Sequence, residues 1–150
     1  MKWKKTNTDT FYFNEKVNLF GNHIGKQDMS FLIKKSFEST DNKSRLCLHK
    51  NTRSSLHQMI IFHKKNYKVK IHKHLATEES YLLLKGKMKV KFYDKHGLSK
   101  QTVTLSANSE KLPFFINIPK NTFHNQEFIE DTIFFEIKNG PFRKKNDRFL

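Results

Sequence analysis

The spacing of apolar residues changes character near residue 45. Before it, Thr10 to Asn14 (TFYFN) reads as a short strand. Asp28 to Phe37 reads as a short helix, with Asp28 able to cap it and Phe31, Leu32, Ile33 and Phe37 forming its apolar side. Polar Glu38 to Ser44 reads as a loop. From Arg45 onward the period is two. Leu46–His49, His57–Phe62 and Tyr67–His72 are expected strands between short polar turns. Ser80–Leu84 and Met88–Tyr93 form a pair around Lys85-Gly86-Lys87. In the second strand Met88, Val90 and Phe92 alternate with Lys87, Lys89 and Lys91, which gives one apolar and one solvated face. Asp94 to Gly97 is a turn, and Gln101–Leu105, Phe114–Ile118, Phe123–Phe128 and Thr132–Lys138 complete the series. About ten short strands so closely spaced predict an all-β antiparallel sandwich or barrel, not alternating β and α units. The expected organisation is an N-terminal strand-and-helix extension (1–44), a barrel (45–142) and a basic tail (143–150), loose or docked.

Composition narrows this. A chain of 150 residues suits one domain, and its 15 Phe supply large core side chains. No apolar run nears the roughly 18 residues of a membrane span. Basic Met1 to Lys5 leads into polar Thr6 to Thr10 instead of an apolar signal core. The single Cys47 can form no internal disulfide, so the expectation is a soluble, cytoplasmic protein with a reduced, buried thiol. The net charge of +15 raises the question of nucleic acid. Only Arg45, Arg53, Arg143 and Arg148 among the 29 basic residues are Arg, however, and the lysines are scattered. Lys, Asn, Phe and Ile have A/T-rich codons, while Ala occurs only at 76 and 107. We read the excess as codon bias, with no nucleic-acid and no membrane partner.

The chemistry gathers in His72-Lys73-His74-Leu75-Ala76-Thr77-Glu78-Glu79. His72 and His74 are two apart, so on a strand both rings leave the same face. Glu79 lies early in the next strand and can fold back towards them, while Glu78 is expected to face solvent or a subunit neighbour. His124 follows in Pro119-Lys120-Asn121-Thr122-Phe123-His124, just after a turn. Three imidazoles and one carboxylate suit one divalent ion (Fe, Mn, Zn, Ni or Co) and leave two positions of an octahedron open.

His-x-His-x4-Glu-x6-Gly, from His72 to Gly86, matches the first motif of the cupin superfamily, and Pro119-x-Asn121-x-x-His124 resembles the second. Asn121 stands where glycine is usual and tolerates positive φ better than most residues. Asn66 and Pro113 stand where glycines normally open the two motifs. Arg45 to His49, Phe92-Tyr93-Asp94-x-x-Gly97 and Phe135 to Phe142 extend the resemblance to the WbuC-type cupin-fold metalloproteins. It implies a single cupin jelly-roll barrel with a metal in its mouth, and a setting in O-antigen or other surface-polysaccharide synthesis.

Arg45 and His49 would share a face of a straight strand, with Arg45 holding an anionic group and His49 acting as the catalytic acid/base. The alternative pairs Arg45 with an acidic neighbour such as Glu136, itself either a structural partner or a second catalytic carboxylate. Gln58 and Tyr81 are candidate substrate-binding residues. His23, His57, His63 and His96 lack metal spacing and are expected on the surface or in turns. The expected activity is a metal-dependent isomerase or epimerase acting on an anionic sugar derivative. The alternatives are an Fe(II) dioxygenase and a non-catalytic sugar- or metabolite-binding module. A homodimer is expected, with Phe11, Phe13, Phe20 and Phe31 completing a partner's sheet.

Overall fold

The computed structural model describes residues 2–7, 9–14 and 23–150. Its strands are β1 (Trp3–Lys5), β2 (Thr10–Phe13), β3 (Lys43–Cys47), β4 (Leu56–His63), β5 (His72–His74), β6 (Glu79–Lys85), β7 (Lys87–Tyr93), β8 (Ser99–Ser106), β9 (Phe115–Ile118), β10 (Phe123–Phe128), β11 (Thr132–Asn139) and β12 (Asp147–Phe149). One helix, α1 (Lys26–Phe37), lies between β2 and β3. The strands form a seven-stranded sheet, β1-β2-β3-β4-β11-β6-β9, and a five-stranded sheet, β12-β5-β10-β7-β8. Every pairing is antiparallel except β2 with β3. This is the all-β cupin barrel that the motifs imply.

Strand parity divides the core in two. On the larger sheet, Cys47, Met59, Ile61, Tyr81, Leu83 and Phe134 point inward and meet Met88, Val90, Leu105 and Phe128 of the smaller one. The residues between them point outward: Phe11, Phe13, Leu46, Ile60, Phe62 and Ile133 pack with Trp3 and with Leu32 of α1. Alternate side chains of a strand leave opposite faces, so one sheet serves both the barrel interior and the helix. The Ser44 hydroxyl donates to the Leu32 carbonyl at 2.6 Å and ties α1 to β3. Phe11 and Phe31 meet edge to face within the chain. Phe20 lies outside the described residues.

Several local expectations change. The helix starts two residues before Asp28, with Gly25 at the N-cap. Asp28 sits in the first turn, where its carboxylate accepts from Gly25 N–H (2.9 Å), Trp3 Nε1–H (2.8 Å) and Lys2 Nζ (2.8 Å). It therefore caps the helix from the N3 position, through the Gly25 N–H, and also anchors β1 to α1. The expected strand Tyr67–His72 pairs only through one bridge, Lys68 to Glu127, and regular pairing begins at His72. The strand expected to run to His49 ends at Cys47. The tail turns through a 3-10 segment, Lys144–Asn146, into β12, which pairs with β5. Asn66 and Asn121 have φ of 66° and 62°, the left-handed conformation that glycine would otherwise supply. Gly86 (φ 87°) lies where a Cβ would strike the Asp131 carbonyl. Among the described residues no helix is long and apolar enough to cross a membrane.

Candidate metal centre

His72 and His124 face each other across β5 and β10 as a directly opposed pair. Glu79 enters from β6 on the other sheet, 3% exposed, with its side chain turned into the barrel. One ligand atom from each of the three lies within 4.8 Å of the others, the spacing a shared metal ion requires. The ring of His74 lies farther out, 6.1 Å from that of His124, and its Nε2 is 3.5 Å from Glu79 Oε2.

Each imidazole is oriented through its outer nitrogen. His72 Nδ1 donates to the Lys70 carbonyl at 2.9 Å and His124 Nδ1 to the Thr122 carbonyl at 2.9 Å. His74 Nδ1 donates to Asp147 Oδ1 at 2.7 Å. A carbonyl or carboxylate can only accept, so each Nδ1 carries a proton, and in the neutral ring Nε2 keeps its lone pair. Fixing the outer N–H in this way is how proteins present histidines to a metal.

The inner atoms pass the test of fit. His124 Nε2 is fully buried and lacks a hydrogen-bond partner, although Glu79 Oε1 is only 2.6 Å away. Two lone-pair-bearing atoms that approach without hydrogen-bond alignment fit a common cation between them. Nitrogen and carboxylate donors together suit a divalent transition metal. Tyr81, wholly buried behind Glu79, donates its hydroxyl to Oε1 at 2.8 Å, and Gln126 donates to the Tyr81 oxygen. Tyr81 is thus a positioning residue for Glu79, which its place in the sequence did not reveal.

Electrostatics follow this arrangement. Burial alone would raise the Glu79 pKa, but His124 and His74 hold it well below the usual range. Burial would lower His74, and the Glu79 and Asp147 carboxylates outweigh it and raise it. Burial, and then the neighbouring His124, lower His72. Burial and the Glu79 charge push Tyr81 up, so it remains a donor.

His72, His74 and Glu79 line a cavity of about 210 Å³ together with Arg45, Lys43, Glu136 and Lys138. The ion pair of Glu136 is with Lys138, at 3.0 Å. His49 lies beyond the end of β3, outside the lining of this cavity. Its ring stacks on His57 (4.2 Å, 11°), and burial lowers it to about 4. Gln58 has the parity of Ile60 and Phe62, so its side chain leaves the sheet away from the barrel interior. Its backbone N–H lies 3.2 Å from His49 Nδ1. Glu78, His23 and His96 are exposed, as expected. His57 and His63 are not: both are buried on the inward parity of β4. His63 lies between Tyr67 and Phe128, with ring centroids 4.3 and 4.6 Å away. Cys47 is buried, and burial pushes its thiol up to about 12.

Sequence reasoning missed Asp147, a lone acid within a basic tail, because only the pairing of β12 with β5 carries it to His74. It also missed Lys138, the last residue of the strand expected at Thr132–Lys138.

No curated protein matches the chain. Among solved structures it resembles the capsular polysaccharide assembling protein CapF from Staphylococcus aureus (22% identity, TM-score 0.59), with 75% of this chain and 33% of that one covered. The Streptomyces nucleoside dehydratase Pac13 is 10% identical with a TM-score of 0.56, over 75% and 81% of the two chains. SPY1581 of Streptococcus pyogenes, a conserved protein of unknown function, is 13% identical with a TM-score of 0.53, over 70% and 80%. These likenesses show the shared fold, and the chain spans about a third of the length of CapF. Residues 24–105, more than half of the chain, match the family described as Domain of unknown function (DUF6016), and the chain belongs to that family.

Proposed function

We propose that this protein is a metal-dependent cupin enzyme that acts on an anionic sugar or sugar-derived intermediate of surface-polysaccharide synthesis, by isomerase or epimerase chemistry. The observation that carries the reading is the set of Nδ1-anchored histidines turned on Glu79 at the wall of a cavity that also holds cationic groups. A divalent metal held by His72, Glu79 and His124 supplies a Lewis acid for substrate oxygens when bound. The chain's own groups do the rest. Arg45 and Lys138 attract and orient the anionic part of the substrate. Glu136, held by Lys138 at 3.0 Å, is the cavity carboxylate positioned to take a proton from a carbon beside a carbonyl and return it. This role passes to Glu136 because His49 lies outside the cavity. Tyr81 and Gln126 keep Glu79 oriented. CapF, described as assembling capsular polysaccharide, shares the fold and supports the setting, as does the WbuC-type resemblance.

The test is incubation of metal-loaded protein with a panel of nucleotide sugars and keto-sugars in deuterated water, followed by NMR. We expect deuterium at one sugar carbon. Exchange should be lost in a His72→Ala, His124→Ala variant and fall about a hundredfold in Glu136→Gln. Binding without exchange across the panel would make the protein a binding module, and undiminished exchange in Glu136→Gln would remove Glu136 as the base.

A further inference from the structure

A second cavity, about 810 Å³, lies beside the metal-bearing one on the same inward face of the larger sheet. It opens over β2, β3 and the start of β4, where the seven-stranded sheet extends beyond the five-stranded one. The two cavities share Arg45 and Lys138. The register shows how they connect: Lys138 is opposite Glu79 on one side and opposite His57 on the other. Metal ligand and second cavity are therefore two strand spacings apart, about 10 Å. A sugar ring and its phosphate can bridge that interval.

The lining has a consistent chemistry. Lys4, Arg45, Lys50 and Lys138 contribute four cations, and among the described residues the lining contains no Asp or Glu. His57, 3% exposed, lines the cavity through its ring, while its Nε2 is turned to the Gly140 backbone. The stacked His49–His57 pair forms one wall, with the edge of Tyr12 against it at 5.4 Å. Half-exposed Phe142 offers an aromatic surface at the rim. Cations satisfy phosphate oxygens, and aromatic surfaces receive a planar base.

We propose that this cavity binds the nucleoside diphosphate portion of a nucleotide-activated sugar, with the sugar passing Arg45 and Lys138 to reach Glu79, His72 and His124. The inference rests on the proposed function only in taking the metal cavity as the reacting end. The substrate is then bipartite: the nucleotide supplies binding energy and the sugar alone meets the metal centre.

Isothermal titration with uridine, adenosine, guanosine and thymidine diphosphates tests this, with inorganic pyrophosphate as the base-free probe. At least one nucleotide should bind at least tenfold more tightly than pyrophosphate. That affinity should stay within threefold in the His72→Ala, His124→Ala variant and fall at least tenfold in Arg45→Gln. Lys4→Ala, at an exposed position remote from the core, should weaken binding severalfold without altering the thermal melt. No nucleotide binding below about 1 mM would overturn the proposal. So would equal affinity for pyrophosphate, or binding that is lost with the metal ligands but kept in both Arg45→Gln and Lys4→Ala. Deuterium exchange without nucleotide binding would defeat this inference alone. Nucleotide binding without exchange would defeat the proposed reaction alone.

Discussion

Loading the metal centre should raise the melting temperature by an amount that two substitutions abolish. Without metal, the Glu79 carboxylate and the unpartnered His124 Nε2 face each other inside the barrel. A cation gives both a partner, and it binds only the folded chain because its ligands come from β5, β6 and β10. Free metal at 100 times its Kd stabilises the folded state by about 2.7 kcal/mol. A chain of 150 residues unfolds with an entropy of about 0.3 kcal/mol/K, so the melting point should rise by about 9 °C. His124 is also core, and His124→Ala alone should cost about 2–3 kcal/mol. The decisive quantity is therefore the metal-induced shift within each variant, not its absolute melting point. Differential scanning fluorimetry with Mn, Fe(II), Co, Ni and Zn, alongside elemental analysis, measures it. A rise of the same size in the His72→Ala, His124→Ala variant, or no rise with any of the five metals, would refute the ligand assignment.

Other expectations concern residues around the centre. Asp147→Asn removes the carboxylate that orients His74, the expected fourth ligand beside the cluster of His72, Glu79 and His124, and should weaken metal binding about tenfold in a chelator competition; unchanged affinity would show that His74 is not a ligand. Burial, and then Arg45 and Lys43, lower His63 to about 3, below its unfolded value of 6.5. The neutral form thus favours folding, and this stability is fully present above pH 6.5 and lost as pH falls toward 3. His63→Phe keeps the ring contacts and removes the unpartnered Nδ1, so it should add about 1 kcal/mol at neutral pH and flatten the slope of urea stability against pH. A slope as steep as in the parent protein would contradict this. Gly86→Ala places a Cβ against the Asp131 carbonyl at positive φ and should cost at least about 2 kcal/mol by urea melt.

What the sequence determined by itself is local. Two-residue alternation in Met88–Tyr93 and its neighbours is a backbone property, so strand after strand could be read before any packing was known. The ligand motif was equally legible: an HxH pair on one strand, a following Glu and a later His after a turn have fixed spacings. Asn121 could be read as a glycine substitute because positive φ is a property of single residues. Tertiary structure decided what depends on where strands meet. Parity on a sheet with two covered faces sent Gln58 outward and His57 and His63 inward, and the polarity of one residue type cannot report which face it joins. The register of β3 on β4 sets His49 beside His57, towards the second cavity and away from the metal cavity, which the four-residue spacing from Arg45 could not report. Asp147 reached His74 only because the last strand pairs with β5, a contact spanning 73 positions of chain. Long-range pairing of that kind leaves no periodic trace, and it is what completes the centre.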